Sequence, residues 1–320
     1  MRVLDRLGTP QVLRRVAYAS IVANVLIVIT GGAVRLTGSG LGCPTWPGCT
    51  EDSYVPTAAM GAHGVIEFGN RLITLAVALV AVLGVIAAWR QRPRRPRVTR
   101  LAVAVFLGIP AQGIVGGITV LTGLNPWIVG GHFLVSMAVI AAAYAFWRAT
   151  GESDGPPRPT VPASLRALAV LVAATSAAVL VAGTIVTGSG PHAGDEDARR
   201  TGLDPATVSQ VHADLVVLLL GLVVATWFAM RAVGAAPAAA RAAWLLGIIL
   251  AQGVVGVIQY ATGLPAAVVG LHMAGACAVW LATLSLLFAT RTSTPAPTPP
   301  GPQDPRDHGL RSMIDAVSRP

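Results

Sequence analysis

Four of the six histidines recur at related places along the chain. His63, His132, His212 and His272 each lie just inside one end of a long apolar run. A lone histidine in such a run most often hydrogen-bonds a neighbouring helix. Four at one depth, two in each half, point to more. Facing histidines on two helices of a bundle hold a metal or a haem, and paired neutral imidazoles bind haem iron from both sides. Bare zinc or copper asks for three or four close ligands, more than two per half supply. Two haem sites are therefore expected. His192 and His308 fall in polar stretches and are expected in solvent.

His63, Glu67, Asn70 and Arg71 are spaced i, i+4, i+7 and i+8, which places them on one helical face. Glu67 and Asp214 are the carboxylates within the apolar runs. An ionisable group at that depth marks a functional site by default. The plainer alternative is a structural Glu67–Arg71 pair in the favourable i, i+4 order. The second half has no carboxylate on the matching stripe, so one half looks reactive and the other a haem holder. Asp214 faces away from His212 and is given no role. Cys43 and Cys49 flank a Pro- and Gly-rich turn, GLGCPTWPGC. They form either a structural disulfide on an oxidising face or a redox-active pair. Cys277, inside the last run, is expected to pack as a small apolar residue.

The elements that must position these groups follow from composition. Of 320 residues 54% are apolar and 12% charged, and the net charge is +9. A soluble domain carries about a quarter charged residues. Basic character might suggest nucleic acid, but all 23 basic residues are arginines set in blocks between long apolar runs. That is a polytopic membrane protein obeying the positive-inside rule, with the lipid bilayer and not nucleic acid as its partner. Eight runs near 16–36, 62–89, 101–121, 128–147, 166–187, 206–230, 242–261 and 266–290 can each cross about 30 Å of hydrocarbon. The arginine blocks put both termini in the cytoplasm.

The sequence also repeats itself. AQGIVGGITVLTGLNPWIVGGH at 111–132 matches AQGVVGVIQYATGLPAAVVGLH at 251–272 at 12 of 22 positions, and TGSG recurs at Thr37–Gly40 and Thr187–Gly190. The expected fold is all-α, with eight transmembrane helices as two parallel-repeat four-helix bundles. Residues 1–150 form the N-terminal bundle, 151–164 a cytoplasmic linker, 165–291 the C-terminal bundle and 292–320 a disordered tail rich in proline. The repeated glycines Gly113, Gly117, Gly253 and Gly256 are expected to let helices pack closely.

TGSGLGCPTWPGC, the IEFGNR stretch at Ile66–Arg71 and the histidines at one end of the even-numbered helices together resemble the heme A synthase family of the bacterial type, over about residues 16–290. The resemblance implies haem b in the C-terminal half, ligated by His212 and His272. It implies haem O as the substrate of the N-terminal half, with Glu67 essential, Arg71 supporting it, and Cys43 and Cys49 paired. Many members read E-x-x-H-R where this chain has Asn70. Either His63 then partners His132 at the substrate haem, or His132 holds it alone. Some members carry a second cysteine pair where this chain reads PHAGDEDARR.

The implied reaction oxidises the C8 methyl of haem O to a formyl group, by two hydroxylations and loss of water, giving haem A. Glu67 would accept a proton or stabilise positive charge developing at the methyl carbon. The implied partners are an electron acceptor or quinone, haem O synthase and cytochrome oxidase assembly factors, at the cell membrane. The residues alone leave two other classes open: a di-haem cytochrome oxidising quinol, and a proton-coupled transporter using the histidines and Glu67 as a relay.

Overall fold

The computed structural model describes residues 8–293. It contains eight long helices: α1 (Pro10–Leu36), α2 (Gly61–Arg90), α3 (Pro96–Leu121), α4 (Pro126–Thr150), α5 (Ala163–Ser189), α6 (Pro205–Ala232), α7 (Ala236–Ala261) and α8 (Ala266–Ala289). All eight are long and apolar enough to cross a membrane. The shortest, 24 residues, reaches about 36 Å at 1.5 Å per residue. The chain is therefore an all-α, eight-span, multi-pass membrane protein.

Local chemistry sets the helix starts. Proline, which lacks the N–H that a first turn cannot use anyway, opens α1, α3, α4 and α6. The Thr9, Asn125 and Asp204 side chains accept from Val12, Trp127 and Thr207 N–H groups as N-caps. Several helices begin earlier than their apolar runs. α1 starts at Pro10 and α3 at Pro96, because arginine-bearing first turns are helical although they lie outside the apolar stretch.

α1 packs on α2 and α4, and α3 lies between α2 and α4, so the first four helices close a ring. α5 to α8 close a second ring in the same order, and the two meet along α1, α4, α5 and α8. The turns Thr122–Leu124 and Thr262–Leu264 are alike in both rings. Gly123 and Gly263 take positive φ, and so do Leu124 and Leu264. The leucine N–H groups bond back to Thr119 O (2.8 Å) and Gln259 O (2.7 Å).

The apolar cores occupy one half of each ring. In the first, Leu13, Ala17, Val77, Ala81, Val98, Val105, Ala143 and Phe146 pack toward the arginine-rich end. In the second, Val172, Val223, Ala242, Leu245, Ile249 and Leu286 do the same. Val28, Met137, Ile140, Leu180 and buried Cys277 fill the seam between the rings. The opposite half of each ring, toward the cysteine loop, is lined by the histidines and glycines described below. Leucines and valines such as Leu75, Leu79, Val217 and Val257 are exposed on the outer surface, as lipid-facing side chains must be.

At the arginine-rich end, Arg158–Pro159 pairs antiparallel with Arg291–Thr292. The linker is thus tied to the residues that follow α8, and residue 292, expected in the tail, is held in this pairing. The rest of the expected tail, 294–320, lies outside the described residues. At the cysteine-loop end, Arg35 donates to His192 O (2.7 Å) and Thr187 O (3.1 Å), and Gly40 N–H donates to Gly194 O (2.8 Å). These bonds fasten the two rings together.

Candidate functional site

In the second ring, His212 on α6 and His272 on α8 face each other with ring centroids 6.5 Å apart and planes at 71°. One metal ion fits between two such imidazoles. Two nitrogen–metal bonds of about 2 Å, plus half a ring on each side, set the centroids about 6 Å apart. Each ring lies against a glycine on a neighbouring helix. A Cβ on Gly183 of α5 would meet the His212 ring at 3.2 Å, and one on Gly256 of α7 would meet His272 at 3.4 Å. The glycines leave room for the imidazoles, not for helix-on-helix contact as the repeat suggested. Among the described residues no three His, Cys, Asp or Glu side chains converge as a bare-ion site would need.

The first ring carries one imidazole in the corresponding place. The His132 ring lies against Gly116 of α3, 3.3 Å from where its Cβ would sit, and its buried Nδ1 has no hydrogen-bond partner. Opposite, where the second ring has His212 against Gly183, this ring has Asn70 beside Gly31 of α1. Thr30 Oγ1 donates to Asn70 Oδ1 at 2.7 Å.

His63 lies elsewhere. It is the third residue of α2, whereas His132, His212 and His272 are the seventh or eighth of their helices. Its Nδ1 lies 2.9 Å from Ser39 Oγ, a residue of the loop beyond α1. The expected layer of four histidines therefore holds three, because α2 begins just before His63. His192, expected in solvent, is half-buried with Nε2 2.8 Å from Leu264 O. Asp214 is exposed and accepts from Gln210 Nε2 at 2.7 Å.

Glu67 is buried, with 6% of its surface exposed. Oε1 accepts from Arg71 at 2.6 Å, and Oε2 accepts from the Cys43 N–H at 2.6 Å. The Arg71 guanidinium also donates to Cys43 O (3.3 Å), Thr45 O (3.1 Å) and Gly48 O (3.0 Å). Cys43 and Cys49 are disulfide-bonded and fully buried. The i, i+4 ion pair and the cysteine loop are thus one unit, with carboxylate and guanidinium clamping the loop's backbone. The loop crosses so close to the start of α2 that a Cβ on Gly42 would overlap the His63 carbonyl.

Inside the loop, the Trp46 indole packs on Gly117 of α3, where a Cβ would overlap it. Gly117 therefore receives a side chain from the loop, and Gly113 has open space beside it. Sequence reasoning missed Trp46. Its one signal was a large aromatic side chain held between two cysteines six residues apart. It also missed the glutamine shared by the two AQG stretches. Gln112 Nε2 donates to His132 O (3.2 Å), and Gln252 Nε2 to His272 O (2.8 Å), so each ring ties the histidine-bearing turn to the helix before it.

Comparison with known proteins gives the family. The family described as COX15-CtaA, cytochrome oxidase assembly protein, matches residues 14–194. Three curated relatives carry the name heme A synthase. The protein of Shouchella clausii is 30% identical over 178 residues, covering 54% of this chain and 58% of the relative. That of Lysinibacillus sphaericus is 32% identical over 131 residues, 41% of this chain and 42% of the relative. That of Geobacillus kaustophilus is 30% identical over 131 residues, 41% of each. The chain thus spans about half the length of the curated relatives it matches.

Proposed function

The chain belongs to the cytochrome oxidase assembly family COX15-CtaA, and on that premise we propose that it is a heme A synthase, a membrane oxidoreductase converting the C8 methyl of haem O to the formyl group of haem A. The observation that carries this reading is the inequality of the two rings. One has an imidazole pair spaced for a single metal. The other has one imidazole and a buried carboxylate under a disulfide-bonded loop. Two imidazoles hold a haem iron more firmly than one, which suits a resident group in the second ring and a substrate that must leave in the first.

Haem b suits the second ring. Its apolar walls, the facing imidazoles and the glycines that make room for them fit an iron held by His212 and His272. Bound there, haem b would supply electron transfer. In the first ring His132 holds the iron of haem O. Asn70 and His63, the sequence's other candidates, are engaged by Thr30 and Ser39 and leave His132 to act alone.

Glu67 is the catalytic residue of this reading. Arg71 and the Cys43 N–H keep its carboxylate fixed, and no solvent has to reorganise around it. A fixed anion at the reacting edge of the substrate stabilises positive charge at the methyl carbon, or takes up the proton released there. Arg71 positions Glu67 and the loop together.

The division of labour follows the chain: 1–150 as the substrate half, 151–164 as the linker and 165–291 as the haem b half, related as parallel repeats. In this reading the chain lies in the plasma membrane, and the positive-inside rule supports a cytoplasmic arginine-rich end with the cysteine loop outside. The partners are an electron acceptor or quinone, haem O synthase and oxidase assembly factors. Pigment extraction and the absorption spectrum of the purified protein test the reading. One haem b per chain with substoichiometric haem O or A is expected. Two permanently bound haem b groups would make it an electron-transfer cytochrome, and a colourless protein would sink the haem reading.

A further inference from the structure

We propose that Trp46 is a substrate-contacting residue of the N-terminal site, its indole forming the wall on which the flat tetrapyrrole lies. This rests on the reading of that ring as the haem O site. Gly116 and Gly117 are consecutive on α3; the first faces the His132 ring and the second the Trp46 indole. Successive Cα atoms are 3.8 Å apart, so imidazole and indole lie on the order of 10 Å from each other at one mouth of the ring.

The indole is also held in place in advance. Its loop is closed by the disulfide and tied through Cys43, Thr45 and Gly48 to Glu67 and Arg71. Thr45 Oγ1 donates across the turn to Gly48 O (3.1 Å). One face of the indole is packed, yet the residue stays 38% exposed. Its N–H makes no hydrogen bond among the described residues. A free π face and a free donor suit a macrocycle that is aromatic in its plane and carries carboxylates at its edge. The second ring has no counterpart, since its loop from 190 to 204 contains neither tryptophan nor cysteine. The wall belongs to the ring whose haem must be recognised afresh at each turnover.

The test uses full-length protein in detergent, titrated with haem O, and compares Trp46→Phe, Trp46→Leu and Trp46→Ala. Resident haem b and the intact Cys43–Cys49 bond report folding in every variant. Trp46→Ala and Trp46→Leu should weaken haem O binding about tenfold, and Trp46→Phe, which keeps a π face, threefold or less. In turnover, KM should rise more than kcat falls, because the indole binds the substrate and neither donates nor accepts in the reaction itself. Unchanged affinity in Trp46→Ala would overturn the proposal. So would Trp46→Leu binding as well as Trp46→Phe, which would reduce the residue to a filler. If the wild-type chain takes up no haem beyond the resident one, the substrate reading of the first ring fails and the proposal with it. If Trp46→Ala loses haem b, the Phe–Leu contrast decides.

Discussion

Replacing Glu67 by glutamine separates chemistry from scaffolding. The carboxylate accepts two short bonds, from Arg71 and from the Cys43 N–H. Glutamine keeps one acceptor oxygen and turns a donor toward one of those donors. The loss is about one charge-assisted hydrogen bond, 1.5–3 kcal/mol. It falls short of the roughly 3–5 kcal/mol for orphaning a member of a buried pair, because Arg71 retains the carbonyls of Cys43, Thr45 and Gly48. At 1.4 kcal/mol per decade this opens the loop roughly 10- to 100-fold more often. The bilayer-spanning core, at the other end of the ring, is untouched.

Glu67→Gln is therefore expected to purify with full haem b and no haem A, haem O remaining bound. Its disulfide should be reduced by dithiothreitol roughly 10- to 100-fold faster than wild type, measured by alkylation and mass spectrometry. Arg71→Gln should speed reduction further, since it removes contacts to four loop carbonyls, of Cys43, Thr45, Pro47 and Gly48, as well as the ion pair. Normal haem A output from Glu67→Gln would end the catalytic assignment. Unaltered reduction in both variants would refute the clamp.

His212→Ala and His272→Ala should each abolish the low-spin haem b spectrum, and either variant retaining it would remove the pair from that role. Freshly isolated protein digested without reductant should give the Cys43–Cys49 peptide two mass units light, with no alkylatable thiol at either position. Gly183→Leu should lower haem b content as severely as loss of His212, because the added side chain fills the space the imidazole occupies; haem content per chain measures it. Outside the spans, Asp204 is held below the usual carboxylate range by the Thr207 hydroxyl and then the Thr207 N–H. A depressed carboxylate stabilises above its ordinary titration range and loses that contribution as pH falls through its lowered value. Protection of the amides at the start of α6, taken relative to the intrinsic exchange rate at each pH, should accordingly fall in acid in wild type and be low at all pH values in Asp204→Ala.

Hydropathy alone revealed the eight spans, because a backbone in lipid has few alternatives to a helix. It misplaced their beginnings, as at Pro10 and Pro96, where capping and proline govern and the side chains are arginines. Histidine spacing brought out His212 and His272, the eighth and seventh residues of their helices, which face each other. The same logic put His63 in one layer with His132 and left open whether the two are partners, because it allowed any depth within about two turns, and the third and seventh positions of a helix differ in depth by about 6 Å. The clamp of Glu67 and Arg71 on the cysteine loop was half legible. The i, i+4 pair could be read off, but a carboxylate accepting from the Cys43 main chain, 24 residues away, leaves no trace in residue types. Trp46 on Gly117 was hidden for the same reason: the glycine read as a helix-packing residue, and only the path of the loop shows what fills the gap.

The outer fastening between the rings has a consequence for redesign. What the first ring grips in the second is main chain: the carbonyls of Thr187 and His192 held by Arg35, and of Gly194 held by Gly40. Arg200 likewise spends its donors on the Pro191 and Ala198 carbonyls. Every residue type owns a carbonyl, so these bonds ask only for the path of the chain, and that path is kept by Ala193 and Ala198, buried with Leu124, and by Gly194 at positive φ. Glu196 and Asp197, exposed between those anchors, are the place to graft a reporter or an affinity epitope without loosening one ring from the other, whereas a similar graft between Cys43 and Cys49 would strike the clamp itself.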